Sequence, residues 1–196
     1  MGHRLKDLTK TVFLDRDGVI NQKMPEGEYV SAWKHFRLLP GAAEAIGKLK
    51  RAGLRVLVVS NQRGIALGFY APEDVDYIHA QLQEKLNTDG AKIDGFYFCP
   101  HDKRVCNCRK PLPGLFEQAR SQFQDITAES STMIGDSLSD IEFGRNLGMK
   151  TIFIEGEPNA REHQKPGASK AAELADQRFD NLLDAVNCLL QESAAD

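Results

Sequence analysis

The stretch that decides the fold reads Thr11-Val12-Phe13-Leu14-Asp15-Arg16-Asp17-Gly18-Val19-Ile20-Asn21. Its apolar run lacks the polar alternation of a half-exposed strand and is typical of a parallel strand buried on both faces. Asp15 then lies at the carboxyl end of that strand, where open α/β sheets bind ligands. The spacing of Asp15 and Asp17, with a turn at Gly18, lets two carboxylates approach one ligand. An Asp-rich turn without function is the alternative for this motif alone.

Four further apolar runs alternate with helical patterns in the rest of the chain. The predicted strands after the first are residues 54–59, 93–98, 132–134 and 151–154. The predicted helices are residues 42–52, 71–87, 113–120, 141–147 and 182–190. This alternation indicates a parallel sheet with right-handed crossovers, so the expected fold is α/β, with a three-layer Rossmann-like core.

The domain organisation expected from this pattern is simple. We predict one domain over residues 1–196, with the motifs in residues 11–154 and a C-terminal loop and helix in residues 155–196. Residues 155–170 are rich in proline, glycine, asparagine and charge and are predicted to form a surface loop. Residues 21–39 have mixed polarity and no sustained period, and we predict an excursion there, a small β-flap beside the site. Neither gap between the motifs is long enough for a large cap domain.

The composition excludes several classes of partner. The 25 basic and 28 acidic side chains are interspersed and give a net charge of −3, so no basic face for nucleic acid is indicated. No apolar run has the length of a membrane span, and residues 1–6 lack the apolar core of a signal peptide. We therefore expect a cytoplasmic protein, a monomer, that binds neither nucleic acid nor membranes.

One cluster of metal-binding residue types comprises Cys99, His101, Cys106 and Cys108. Three thiols and one imidazole in a short loop provide the ligands of a closed tetrahedral structural Zn²⁺ site. Since four protein ligands leave no open position, such a zinc ion would not take part in catalysis. A disulfide with one remaining thiol is the alternative.

The carboxylates suit phosphoryl transfer, which needs a nucleophile in line with the leaving oxygen and positive charge around the phosphoryl oxygens. Asp15 can attack phosphorus and form an aspartyl-phosphate, while Asp17 can protonate the leaving alkoxide and later deprotonate water. Two carboxylates beside a phosphate repel unless a hard cation neutralises them, and Mg²⁺ fits that need. Asp136, after the fourth strand, is the expected additional ligand. Asp140 either coordinates the ion or orients the loop from the next helix.

Four motifs, in order along the chain, carry a resemblance to a known family. They are Asp15-Arg16-Asp17-Gly18, Ser60-Asn61-Gln62, Arg109-Lys110-Pro111, and Gly135-Asp136-Ser137 followed by Asp140. Together they resemble the motifs of the haloacid-dehalogenase-like (HAD) phosphatases. The resemblance implies that Asp15 is the nucleophile and Asp17 the acid/base and a backbone-carbonyl ligand of Mg²⁺. It also implies that Asp136 is a metal ligand and that Ser60 and Lys110 hold the phosphoryl oxygens.

The cysteine and histidine loop sharpens the resemblance. The D-glycero-D-manno-heptose 1,7-bisphosphate phosphatases and the histidinol-phosphate phosphatases both combine such a loop with an Arg-Lys-Pro motif, and residues 13–21 and 60–66 look closer to the heptose enzymes. This implies Mg²⁺-dependent hydrolysis of a small phosphorylated metabolite. A heptose 1,7-bisphosphate losing its 7-phosphate is the first expectation, and histidinol phosphate is the second. A zinc-stabilised binding module without catalysis is the alternative from another class.

Six polar side chains in the motifs or next to them are expected to contact substrate: Arg16, Asn21, Asn61, Gln62, Arg63 and Arg109. The case for Arg109 rests on its place next to Lys110 in an extended segment, where adjacent side chains point in different directions. With Lys110 on the transferred phosphoryl group, Arg109 can reach sugar hydroxyls or a second phosphate.

Overall fold

The computed structural model describes residues 9–25, 27–88, 90–156 and 167–194. These residues form the strands β1 (Thr11–Leu14), β2 (Arg55–Asn61), β3 (Gly95–Cys99), β4 (Ser131–Gly135), β5 (Lys150–Ile154) and β6 (Gln177–Phe179). They also form the helices α1 (Ala42–Arg51), α2 (Pro72–Asn87), α3 (Gly114–Gln122), α4 (Leu138–Leu147), α5 (Ala168–Leu174) and α6 (Leu182–Ala194).

The strands make one sheet in the order β3-β2-β1-β4-β5-β6, and every neighbouring pair is parallel. Leu14, the last residue of β1, lies opposite Val58 of β2 and Ile134 of β4. The chain leaves β1 toward one edge of the sheet and returns to β4 on the other side. This reversal of direction opens a crevice at the carboxyl ends of β1 and β4, which is where such sheets bind ligands. The predicted α/β fold is confirmed.

Helices cover both faces of the sheet because successive strand side chains point to opposite sides. On one face, Val12 and Leu14 pack in a core with α1, α2 and α6. On the other face, Phe13 packs in a core with α3 and α4, and Phe153 packs against α5. Since Val12, Phe13 and Leu14 are fully buried, each contributes about 1.5–3 kcal/mol of transfer free energy. The strand that carries Asp15 is therefore held rigidly in the middle layer.

The C-terminal segment differs from the predicted loop and helix. The structure adds α5 and β6 before α6, so the prediction of a continuous surface loop over residues 155–170 is wrong at residues 168–170. Residues 157–166 of that loop lie outside the described residues. β6 pairs with β5 from Ile152 to Ile154 and closes the edge of the sheet.

The excursion after β1 also differs in detail from its prediction. Instead of a β-flap, the described residues between β1 and α1 form one 3-10 helix (Trp33–His35) and isolated bridges from Asn21 to Asp17 and Leu38. The 3-10 helix packs Trp33 on Phe36, with ring centroids 4.9 Å apart. No extra domain is inserted among the described residues of this segment or between β2 and α2. Within the described ranges, no helix combines the length and apolar character needed to cross a bilayer.

Candidate active site

Asp15 is the first residue beyond β1, and the sheet holds its backbone. Its amide donates to the Ile134 carbonyl at 2.9 Å, which continues the ladder with β4. The side chain is almost fully buried and lies 2.7 Å from the Lys110 ammonium. The carboxylate is therefore fixed at the switch point by backbone and side chain together.

The Lys110 ammonium is itself buried and has three acceptors. Nζ donates to Asp15 Oδ1 at 2.7 Å and to the Val59 carbonyl at 2.6 Å, and it lies 2.7 Å from Asp140 Oδ1. Three acceptors match the three protons of an ammonium group. Burial lowers the pKa of Lys110, but the Asp140 and Asp15 carboxylates outweigh it and leave the pKa above its ordinary value. Lys110 therefore carries a permanent positive charge under the candidate nucleophile.

Asp140 has contacts on both of its oxygens. While Oδ1 faces Lys110, Oδ2 accepts from the Ser137 amide at 3.0 Å and from the Ser137 hydroxyl at 2.6 Å. This is a capping box at the start of α4, and it satisfies the free amide of the first helical turn. Of the two roles predicted for Asp140, these contacts favour that of an orienting carboxylate.

Asp136 lies just beyond β4, and its Oδ2 atom is 2.5 Å from Lys23 Nζ. Oxygens of Asp15, Asp136 and Asp140 all lie within 4.8 Å of one another. Gly18 makes this approach possible: it has a φ of 101°, and a Cβ atom there would lie 2.2 Å from Asp136 Oδ2. Converging buried carboxylates are the ligand type that Mg²⁺ prefers, so the residues present fit this ion.

Asp17 is surrounded by hydrogen-bond donors. Arg16 Nη2 donates to Oδ1 and Oδ2 at 3.1 and 2.9 Å, Asn21 Nδ2 to Oδ1 at 2.9 Å, and Gln62 Nε2 to Oδ2 at 3.0 Å. Burial raises the pKa of Asp17, but the Arg16 charge and the donated hydrogen bonds outweigh it, so the pKa falls below its ordinary value. In the absence of substrate, Asp17 is a carboxylate ready to accept a proton.

Arg16, which the sequence predicts to contact substrate, points toward Asp17 in this structure. It is fully buried, and its guanidinium contacts Asp17 and Gln62. Among the described residues, its Nε and Nη1 atoms and Asn21 Oδ1 have no hydrogen-bond partner. The Arg16 and Asn21 side chains thus both donate to the Asp17 carboxylate and can hold it in place.

The remaining predicted side chains fall into two groups, those hydrogen-bonded within the site and the two arginines nearer the surface. Ser60 is buried at the end of β2 and accepts from Gln62 at 2.6 Å. Asn61 makes two hydrogen bonds with the Lys110 backbone, at 3.0 and 3.1 Å, and so fixes the loop that carries the lysine. Arg63 is partly exposed and lies 2.5 Å from Asp102. Arg109 is half-buried, and its Nη1 atom has no partner among the residues that the structure describes.

Two residues of this region were not predicted from the sequence. Lys23 pairs with Asp136, and Tyr70 donates a hydrogen bond to Gln62 Oε1 at 2.8 Å. Neither belongs to a motif, and each reaches the site from a loop without periodicity. Their role depends on how the loops fold back, for which a single sequence carries no signal.

The cysteine and histidine side chains converge after β3. Sγ of Cys99 lies 3.5 Å from that of Cys106 and 3.2 Å from that of Cys108, while His101 Nδ1 lies 3.7 and 3.2 Å from the Cys99 and Cys108 sulfurs. All four cysteines are free, so the predicted alternative of a disulfide is not what the structure shows. Zn–S bonds of about 2.3 Å give tetrahedral edges of about 3.7 Å. The observed separations approach that size, so the residues fit a zinc ion.

A parallel sheet with this strand order, an Asp pair after β1 and a buried lysine beside it together define the HAD-like class of hydrolases. The family profile described as HAD-hydrolase-like matches residues 107–185.

Close relatives give a narrower assignment. The chain is 40% identical over 172 residues to the D-glycero-alpha-D-manno-heptose-1,7-bisphosphate 7-phosphatase of Mycobacterium tuberculosis, covering 87% of this chain and 86% of the relative. It is 33% identical to the beta-anomer enzyme of Neisseria meningitidis, covering 95% and 97%. The crystal structure of the B. bronchiseptica D,D-heptose 1,7-bisphosphate phosphatase, complexed with magnesium and phosphate, superposes with a TM-score of 0.80 at 29% identity, covering 94% and 99%. The chain therefore belongs to the heptose-1,7-bisphosphate 7-phosphatase family of HAD-like hydrolases, and it is a phosphoric monoester hydrolase.

Proposed function

We propose that this protein removes the 7-phosphate from a D-glycero-D-manno-heptose 1,7-bisphosphate through an aspartyl-phosphate on Asp15. The observation that carries the proposal is the Asp15 carboxylate at the switch point, 2.7 Å from a buried lysine and within 4.8 Å of Asp136. A buried nucleophile with a fixed counter-charge is preorganised for attack on an anionic ester. The family relationship supplies the substrate class.

The reaction has two steps, and Asp17 donates a proton in the first and accepts one in the second. A carboxylate oxygen of Asp15 attacks phosphorus, the ester P–O bond breaks, and the protonated Asp17 gives its proton to the leaving sugar oxygen. Asp17 then accepts a proton from water, which attacks the aspartyl-phosphate and releases phosphate and Asp15. The low pKa of Asp17 in the absence of substrate keeps the side chain ionised, which is the state that can accept the proton of the attacking water. The negative phosphate opposes that effect and favours proton uptake for the first step.

The supporting residues have separate roles. Lys110 neutralises charge beside Asp15, and the Ser60 hydroxyl faces the phosphoryl oxygens. Arg16 and Asn21 hold Asp17 in place through their hydrogen bonds to its carboxylate. Arg63 and Arg109 remain the residues that we expect to contact the part of the substrate beyond the transferred phosphate.

Two metal ions complete the proposal. Asp15 and Asp136 would hold Mg²⁺ with the backbone carbonyl of Asp17, and the bound ion would neutralise charge on the phosphoryl oxygens. The relative whose crystal structure contains magnesium and phosphate supports this assignment. The ring of Cys99, His101, Cys106 and Cys108 would hold a structural Zn²⁺, which stabilises the loop that leads to Arg109.

A phosphate-release assay tests the proposal. Purified protein is assayed with Mg²⁺ and with EDTA on the alpha and beta anomers of heptose 1,7-bisphosphate, on heptose 7-phosphate and on histidinol phosphate. We expect a heptose bisphosphate to have the highest kcat/KM, with activity that EDTA removes and Mg²⁺ restores. The relatives include enzymes named for either anomer, so both are needed. A higher kcat/KM for histidinol phosphate would overturn the substrate assignment and leave the phosphatase assignment in place.

A further inference from the structure

Tyr70 is a buried tyrosine in the loop between β2 and α2, and its environment fixes its ring. Tyr29 lies against it with ring centroids 5.9 Å apart. Gly64 lies against the other side, where a Cβ atom would be 2.2 Å from Tyr70 Cε1. The hydroxyl donates to Gln62 Oε1 at 2.8 Å. The phenol is thus held in one position with its proton aimed at the Gln62 carbonyl.

The Gln62 carboxamide has two chemically different ends, and its contacts select one orientation. Its oxygen accepts from Tyr70 and, at 3.3 Å, from Arg16 Nη2. Its nitrogen donates to Asp17 Oδ2 at 3.0 Å and to the Ser60 hydroxyl at 2.6 Å. A flipped amide would bring its oxygen against the Asp17 carboxylate and its NH₂ group against two donors. Tyr70 therefore supplies the shorter of the two bonds that keep the donor end on Asp17.

We propose that Tyr70 is a positioning residue of this phosphatase, which acts through Gln62 to hold Asp17 in line with the leaving oxygen. The proposal rests on the proposed function, since it assumes that Asp17 transfers the proton. Burial raises the pKa of Tyr70 well above its usual range, so the hydroxyl stays a hydrogen-bond donor at any working pH. The same contacts link Asp17 to Tyr29, in the middle of the excursion after β1.

The consequence of this role depends on the leaving group. A sugar alkoxide needs a proton as it departs, whereas p-nitrophenolate leaves without one. The parameter kcat/KM reports the steps up to formation of the aspartyl-phosphate, so it isolates the proton transfer to the leaving group. Misplacement of Asp17 should lower kcat/KM for the sugar phosphate and leave that for p-nitrophenyl phosphate nearly unchanged.

The test compares Tyr70→Phe with wild type on both substrates. We expect kcat/KM for heptose bisphosphate to fall about three- to tenfold, the range for one neutral hydrogen bond, with less than a twofold change for p-nitrophenyl phosphate. The exposed Tyr77 on α2 provides the control, and Tyr77→Phe should change neither value. Equal losses on both substrates, or no loss on either, would overturn the proposal.

Two further variants test the same role independently if Tyr70→Phe folds poorly. Gly64→Ala retains the hydroxyl but displaces the ring, so it should reproduce the selective loss. In a Gln62→Leu background, Tyr70→Phe should have no additional effect, and an independent effect of the same size would contradict action through Gln62. Wild-type protein without activity on any sugar phosphate would instead refute the proposed function.

Discussion

The two candidate metal centres are built in opposite ways. The carboxylate centre combines Asp15, Lys110, Asp136 and Asp140, which meet because β1 and β4 are neighbours in the sheet and the loop after β3 brings Lys110 to the Val59 carbonyl of β2. The thiolate centre comprises Cys99, His101, Cys106 and Cys108, which all belong to one short stretch of chain. The first depends on the whole fold, while the second depends on local chain geometry.

The electrostatic balance of the two centres differs as well. In the carboxylate centre, the two ammonium groups of Lys110 and Lys23 face the three carboxylates of Asp15, Asp140 and Asp136, so part of the negative charge is already balanced. The contacts described above join the three thiols and the imidazole to one another, and a zinc ion would supply the positive charge. We therefore expect loss of a carboxylate to abolish chemistry but preserve the fold, and loss of a thiolate to weaken the fold more than the chemistry.

The largest expected effect comes from Asp15→Asn. An amide is not a useful nucleophile, so kcat should fall on the order of a thousandfold or more. Because Asn can still accept a hydrogen bond from Lys110, the free energy of unfolding and the zinc content should stay close to wild type. Steady-state phosphate release measures kcat, and intact mass after acid quench should show no covalent phosphate on the variant. Urea unfolding and elemental analysis measure the free energy of unfolding and the zinc content.

A matched control for this experiment is Asp125→Asn. Asp125 is an exposed aspartate paired with Arg55, and its amide variant should keep wild-type kcat. If Asp15→Asn retained even a tenth of the wild-type rate, Asp15 would not be the nucleophile.

The second effect concerns the thiolate centre. Cys108→Ser should lower bound zinc and reduce the free energy of unfolding on the order of 3 kcal/mol, since loss of a structural metal is among the few changes with large effects. The value of kcat at a temperature where the variant is folded should change much less. Elemental analysis and urea unfolding give the two readouts, and Cys188→Ser, on α6 outside the loop, is the control. Zinc-free wild-type protein purified without chelators would remove the site.

The sequence predicts the local centre and the inner strands well, for a physical reason. Long runs of buried β-branched and apolar residues allow few other structures, and ligand spacing within a short loop limits its geometry. β6 was missed because Gln177-Arg178-Phe179 is a short, half-polar edge strand. α5 has only seven residues and follows a stretch rich in charge, proline and glycine. Its stability comes from packing on α4 rather than from its own pattern.

The carboxylate centre was predictable in its motif residues but not in the directions of its side chains. The sequence predicts that Arg16 contacts substrate, yet the structure buries its side chain. Its guanidinium contacts Asp17 and Gln62, which lie in the loops after β1 and β2. Tyr70 and Lys23 were missed for the same reason. The monomeric state, the cytoplasmic location and the single domain over the whole chain stay predictions, since neither sheet order nor site geometry bears on them.

The third prediction tests whether Arg109, next to the last cysteine of the thiolate centre, contacts the substrate bound at the carboxylate centre. Arg109→Ala should raise KM and lower kcat/KM for heptose bisphosphate about tenfold to a hundredfold, that is about 1.5–3 kcal/mol for one charged hydrogen-bonding partner. The loss for a small monophosphate should be smaller, because that substrate has no second phosphate to contact. Arg104→Ala, in the same loop, is the control. Equal losses on both substrates would show that selectivity comes from Arg63 or the excursion after β1 instead.

The smallest effect lies outside both centres and tests whether a buried histidine on α2 stays neutral in the folded protein. His79 is buried there, stacked on Phe96 with ring centroids 4.4 Å apart. Burial, together with the nearby Arg16 charge and against the opposing Asp17 charge, lowers the pKa of His79 from 6.5 to about 3. Between these two values the unfolded chain binds a proton that the folded protein does not, so His79 makes stability fall as the pH falls below 6.5.

From pH about 7.5 to about 5.5, this linkage should cost wild type about 1.4 kcal/mol that His79→Leu does not lose. Urea unfolding of both proteins at the two pH values gives the difference, in which shared losses from the carboxylates and from the thiolate loop cancel. His35→Leu, at an exposed histidine, should keep the wild-type pH dependence. If wild type and His79→Leu lost the same free energy over this interval, His79 would take up its proton equally in both states. Its burial on α2 would then not hold its pKa below the ordinary value.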